Sequence, residues 1–340
     1  MVIRITAGIL ILLVAVVGGL ATYLHLTAIK PTRLVGFQEV RAIDAGRPSF
    51  PFAIWYPTTG KPRIVLRGSR AMRVVPDGPV EGTHVPLIVF SHGTGGSAFD
   101  HSDTAIALAE QGFIVAAPTH PGDNSQDASE VGQPRWLMNR SRDVSGTIDA
   151  VLHTWAGRRH VDSVRVGVFG FSAGGTTALI SIGGKPNLRV MRTHCAKQPE
   201  FACRLVSPSI DEQLVSDGSM ADGRISAAVV AAPAFVFTFQ PGGLSDVRTP
   251  VQLWVGAADQ TVPYATNAAI VLRLLPRRPE VHIVPRAPHV SFVMPCGFVG
   301  WPQSCPTDSR FNRTNFHKAF NANVARFFRK HFHMDPKQAS

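Results

Sequence analysis

A serine stands between glycines in Gly170-Phe171-Ser172-Ala173-Gly174, after the apolar run VRVGVF and before the small-residue run AGGTTALISI. The pattern G-x-S-x-G between a strand and a helix describes a turn sharp enough to aim the serine hydroxyl outward. Bulky side chains at 170 and 174 would collide across such a bend, and Gly175 lets the following helix approach the sheet. The turn brings the first helical amides, that of Ala173 foremost, beside the hydroxyl, where their partial positive charge can stabilise an oxyanion. A hydroxyl is a weak nucleophile near neutral pH, so this chemistry needs a base and a group that orients the base. Asp259, in AADQTVP after VQLWVG, and His289, in PRAPHVSF after EVHIV, follow Ser172 in the order nucleophile, acid, base. Both lie in loops that leave the ends of strands. The loop SHGTGG, after PLIVF, offers a second oxyanion donor in the backbone N–H of Thr94. That loop lacks the Walker lysine and the dinucleotide glycine spacing, so a phosphate cradle is the weaker reading. His92 and His120 also sit at strand ends and read as structural or pocket-lining residues.

The elements that must position these residues follow from hydrophobic patterning. PLIVF, FIVAA, VRVGVF, ISAAVVAA, VQLWVG and EVHIV are short apolar runs with little alternation, separated by segments of helical spacing. Among the latter are SDTAIALAEQ, RDVSGTIDAVLHTWAG, AGGTTALISI, YATNAAIVLRLL and FHKAFNANVARFF. Such alternation predicts a mostly parallel sheet with helices on both faces. SFPFAIWYP, bounded by prolines, predicts an antiparallel strand before it. Residues 121–139 and 185–223 break the alternation and read as insertions at the strand ends, where α/β folds bind substrate.

The chain has 340 residues, 45% of them hydrophobic, enough for one large α/β domain over residues 31–340. A net charge of +11 raises nucleic acid as a partner. Lys and Arg are scattered rather than striped, no zinc-finger spacing occurs, and no nucleic-acid partner is expected. Residues 1–30 contain ITAGILILLVAVVGGLATYL, about twenty uncharged residues and roughly 30 Å as a helix. This predicts a membrane-spanning signal-anchor, or else a cleaved signal peptide. The four cysteines fall in two close pairs, Cys195 with Cys203 and Cys296 with Cys305, neither with C-x-x-C spacing. Two local disulfides are the expectation, and they require an oxidising compartment. The body of the protein is therefore expected outside the cytoplasmic membrane, anchored to it or secreted.

FSHGTGGSAFDHSDTAIALAEQGFIVAAPTHPGDN, GVFGFSAGGTTAL, VGAADQTVP and PHVSFVMPC carry a resemblance over roughly residues 50–332. The chain resembles the α/β-hydrolase superfamily, and within it the bacterial dienelactone-hydrolase-like proteins related to platelet-activating-factor acetylhydrolase. The resemblance implies an α/β-hydrolase fold with a cap insertion and a carboxylic ester as substrate. It makes Ser172 the nucleophile, His289 the base and Asp259 its orienting carboxylate, with Thr94 and Ala173 as oxyanion donors and no metal or cofactor. Two departures stand out. Dienelactone hydrolases use cysteine where this chain has Ser172. The acetylhydrolase places its acid after the sixth strand, where VVAAPAFVF has no carboxylate before Asp246, which makes Asp246 the fallback for Asp259. A serine peptidase, an acyltransferase and a catalytically silent surface-binding protein are the competing readings.

Overall fold

The computed structural model describes residues 2–43, 49–68, 70–206, 220–295 and 311–334, with side chains from Leu13 onward. A helix, α1 (Val2–Thr27), precedes four strands, β1 (Val35–Ala42), β2 (Phe50–Pro57), β3 (Arg63–Arg67) and β4 (Arg70–Pro76). Alternation then sets in with β5 (Val85–Ser91), α2 (Ser102–Glu110), β6 (Ile114–Pro118), α3 (Trp136–Asp149), β7 (Val161–Phe171) and α4 (Ala173–Ser181). After α5 (Val190–Lys197) come β8 (Ile225–Ala231), β9 (Val251–Gly256), α6 (Ala268–Leu274), β10 (Glu280–Val284) and α7 (Arg313–His331).

The strands form one sheet in the order β10-β9-β8-β7-β5-β6-β2-β1-β4-β3. From β10 to β6 every neighbouring pair is parallel, whereas β2 runs antiparallel to β6 and to β1. The parallel strands are buried on both faces, which is why β5 reads as an unbroken apolar run. On one face Leu87 and Val89 pack with Trp136, Val144 and Ile148 of α3 and with α4 and α6. On the other, Ile88 and Phe90 pack with Ile106 and Leu108 of α2 and with Phe320, Val324 and Phe328 of α7. Helices thus cover both faces, as the apolar patterning predicts.

Four differences from the sequence reading have physical causes. β1, β3 and β4 escape it because charged residues interrupt them: β1 contains Glu39 and Arg41, and β3 is nowhere fully buried. α3 begins at Trp136, inside the segment read as an insertion, because Trp136, Leu137 and Arg140 all turn into the protein. The helix expected over 264–275 is divided into a 3-10 turn at Tyr264–Thr266 and α6. The membrane-spanning helix is not carried by the described residues, among which no helix is long and apolar enough to cross a membrane.

Cys195 and Cys203 form a disulfide with a Cα–Cα distance of 5.5 Å, as expected. The second expected pair, Cys296 and Cys305, lies outside the described residues.

Candidate active site

β7 ends in Phe171 and α4 begins at Ala173, leaving Ser172 to make the whole turn with φ 56° and ψ −121°. A serine in that region costs on the order of 1–3 kcal/mol and persists only where its surroundings hold it. Here the Ser172 N–H donates to the Ala231 carbonyl at 3.0 Å, while its own carbonyl accepts from Gly175 at 2.9 Å and Ala234 at 3.0 Å. The flanking glycines are obligatory. A Cβ at position 170 would stand 1.9 Å from the Gly174 carbonyl oxygen, and one at 174 would stand 1.9 Å from that of Ser91. At Gly175 a Cβ would meet Pro233 at 2.9 Å.

The loop after β9 carries Asp259, and the one after β10 carries His289 at the start of a 3-10 turn, His289–Phe292. These two loops are joined by the Ala258 N–H donating to the Ala287 carbonyl at 3.1 Å. Asp259 Oδ1 accepts the N–H groups of Thr261 at 3.0 Å and Val262 at 2.8 Å. That leaves Oδ2 for His289 Nδ1, 2.7 Å away. On the far side of the ring, Nε2 lies 3.0 Å from Ser172 Oγ. The imidazole also packs on Phe171, with ring centroids 4.8 Å apart, so its orientation is constrained from a third direction. The structure therefore brings Ser172, His289 and Asp259 into one hydrogen-bonded line. Asp246 is elsewhere, exposed and paired with Lys185 at 2.5 Å.

Thr94 and Ala173, the oxyanion donors expected from the sequence, both lie by Ser172. Thr94 lines the same cavity as Ser172, and Ala173 opens α4 directly after it. Neither amide donates a hydrogen bond among the described residues. Two N–H groups near the Ser172 hydroxyl are thus available to an incoming oxygen.

Behind this loop lies a buried polar network that sequence reasoning did not find. Asp123, from THPGDN, accepts the Gly95 N–H at 2.7 Å and the Trp136 indole N–H at 2.6 Å, and it pairs with Arg140. Burial pushes the Asp123 carboxyl upward, but Arg140 and these two donors outweigh it and hold the group below the usual carboxylate range. The Arg140 guanidinium also donates to Thr177 of α4, to Ser91 and to the His92 carbonyl. One buried cation thus fastens the Thr94 loop to the helix that follows Ser172. His120 bridges Asp143 and Ser91, at 2.9 Å on either side, and is buried together with His92. Burial, reinforced by His120 and Arg140, drives the His92 pKa far down, so this ring stays neutral. Both histidines are structural, and neither lines the cavity. The hint in the sequence was Asp123, a carboxylate in a strand-end loop, but its partner Arg140 is on a helix with no local mark.

The cavity over Ser172 and His289 measures about 850 Å³. Its walls are largely apolar: Phe99, Phe171, Phe235 and Val293, together with Phe201 and Leu205 from the segment read as an insertion. The disulfide between Cys195 and Cys203 ties α5 to the 3-10 turn Phe201–Leu205 that forms this wall. A larger cleft of about 1050 Å³, beside Val85 at the opposite end of β5, contains none of the three aligned residues.

Residues 70–199 match the dienelactone hydrolase family, a span that includes Thr94 and Ser172 and stops short of Asp259 and His289. Platelet-activating factor acetylhydrolase of Bos taurus is 40% identical over 68 residues, 18% of this chain and 15% of that protein. The Canis lupus familiaris protein of the same name is 26% identical over 151 residues, 32% of this chain and 34% of that one. The chain thus spans about a third or less of these relatives. Ferulic acid esterase from Streptomyces cinnamoneus superposes with a TM-score of 0.64 at 19% identity, covering 89% of this chain and 92% of that one. This last likeness concerns the α/β-hydrolase fold.

Proposed function

We propose that this chain, an α/β hydrolase related to the dienelactone hydrolases and the platelet-activating-factor acetylhydrolases, is a serine hydrolase of carboxylic esters. The observation that carries the proposal is the line Asp259–His289–Ser172 at 2.7 and 3.0 Å, opening into an apolar cavity. In this reading Asp259 accepts the Nδ1 proton of His289, so that Nε2 is the free base facing Ser172 Oγ. The Oγ–H proton passes to Nε2 as Oγ attacks the ester carbonyl. The amides of Thr94 and Ala173 receive the oxyanion. The alcohol leaves with the proton from Nε2, and water, activated by the same nitrogen, then releases the acid from Ser172.

Phe201, Ala202 and Leu205 act as a cap wall over the acyl or aryl group, held in shape by the disulfide. A fluorophosphonate probe should label Ser172, and wild-type protein should release acids from nitrophenyl esters into water. Absence of labelling together with absence of turnover would reject the ester-hydrolase reading. Replacing Cys195 and Cys203 together by serine should raise KM several-fold for the longest esters, with kcat nearly unchanged. An unchanged KM across an acyl-length series would remove the cap from the binding site.

We also place the catalytic domain outside the cytoplasm, on the support of this disulfide, since such bonds persist in oxidising compartments. In cells, Cys195 and Cys203 should resist alkylation until a reductant is added. Immediate alkylation would count against this placement.

A further inference from the structure

The turn that carries His289 is held from behind by another histidine. His317, near the start of α7, is only 2% exposed and makes two polar contacts. Its Nδ1 lies 2.6 Å from Asp103 Oδ2, and its Nε2 lies 2.8 Å from the carbonyl oxygen of Ser291, two residues after His289. A carbonyl oxygen can only accept, so Nε2 must carry a proton. Nδ1 is anchored by Asp103, whose Oδ2 also accepts from Asn321 Nδ2 at 3.1 Å, and the Asn321 amide is oriented by the Thr104 hydroxyl donating to Oδ1 at 2.7 Å. The ring is thus held by α2 on one side and presents Nε2–H to the His289 turn on the other.

We propose that His317 acts as a positioning residue for the base, its Nε2–H fixing the Ser291 carbonyl and hence the His289 turn relative to Ser172. The catalytic part of this inference rests on the ester-hydrolase reading above, whereas the bond to Ser291 does not.

The surroundings favour the pairing of His317 with Asp103. Burial pushes the Asp103 carboxyl upward, but His317 and Asn321 prevail and leave it below the usual carboxylate range. His101, the other titratable side chain close by, is packed edge-on against Phe90, Phe169 and Phe171. Desolvation lowers its pKa to about 3, so it stays neutral and does not compete for Asp103. Arg70 of β4 also feels Asp103 and Asp100, but its hydrogen bond goes to the Pro295 carbonyl, on the other side of the turn. From α7 itself, Arg313 feels the like charge of Arg70. Within the described residues the Ser291 carbonyl has no backbone donor, because the Met294 N–H that would close the 3-10 turn goes to Asp100 instead. His317 is therefore what satisfies it. Phe292 adds apolar contact to the same helix, with ring centroids 5.5 Å from Phe316 and 5.9 Å from Phe320.

Two measurements test this. Nitrogen-15 NMR of the wild-type protein should show a proton on Nε2 of His317, identified by its loss in His317→Gln. An unprotonated Nε2 would overturn the bond to the Ser291 carbonyl. In kinetics, His317→Asn, which cannot reach Ser291, should lower kcat by about 10- to 100-fold with KM little changed. His317→Gln, whose amide can donate at the Nε2 position, should recover most of that loss. A wild-type kcat in His317→Asn, or no recovery in His317→Gln, would overturn the positioning role. Retained turnover in Ser172→Ala would instead defeat the ester-hydrolase reading and leave the NMR result standing.

Discussion

Alanine at position 172 is expected to lower kcat toward nitrophenyl esters by about a millionfold, to the level the oxyanion amides and the pocket sustain without a nucleophile. The fold should survive. The strained φ of 56° is carried by the backbone, and alanine has the same Cβ as serine, so the substitution adds no new clash at the bend. The Ser172 N–H bond to Ala231 and the bonds its carbonyl accepts from Gly175 and Ala234 involve no side-chain atom. What alanine removes is the hydrogen bond between Oγ and His289 Nε2. Steady-state kinetics alongside a thermal melt separate the two effects. An unchanged melt with near wild-type turnover would remove Ser172 from the mechanism, whereas a collapsed melt would show that the hydroxyl is structural.

The second large effect concerns the acid. Asp259→Asn should reduce kcat by about 10⁴-fold through the tautomer of His289 rather than through loss of structure. Asp259 Oδ1 receives the amides of Thr261 and Val262, and an asparagine oxygen can receive both. The asparagine NH2 would then occupy the Oδ2 position, 2.7 Å from His289 Nδ1, and would donate to that nitrogen. The ring proton would be driven to Nε2, which would then point a hydrogen at Ser172 and lose the capacity to take one. Asp246→Asn is the control: its carboxylate pairs with Lys185 at the surface, and its loss should change kcat less than about twofold. The reverse ranking of the two variants would transfer the acid role to Asp246.

These expectations show how unevenly the site was written in the sequence. The bend at Ser172 was legible because its causes are neighbours in the chain: glycines at 170 and 174 whose replacement would bring atoms within 1.9 Å. The parallel strands were legible because burial on both faces demands unbroken apolar runs. The order of Ser172, Asp259 and His289 was legible too, since in a parallel sheet every strand end of that kind opens at one rim. β1 and β4 were not, because strands with one solvated side mix charge into their pattern and pair with partners set by the fold.

The sequence by itself determined the elbow, the alternation of strand and helix, and the short list of groups able to do acyl transfer. Sterics between adjacent residues and the burial of apolar runs are local matters, which a chain specifies before it folds. Only the tertiary structure set Asp259 rather than Asp246 against His289, joined Arg140 to Asp123 behind the Thr94 loop, and placed His317 against the turn of His289. Those choices turn on hydrogen-bond distances between groups brought together by crossovers, and a hydrogen bond is lost over less than 1 Å. Spacing along the chain carries no such resolution.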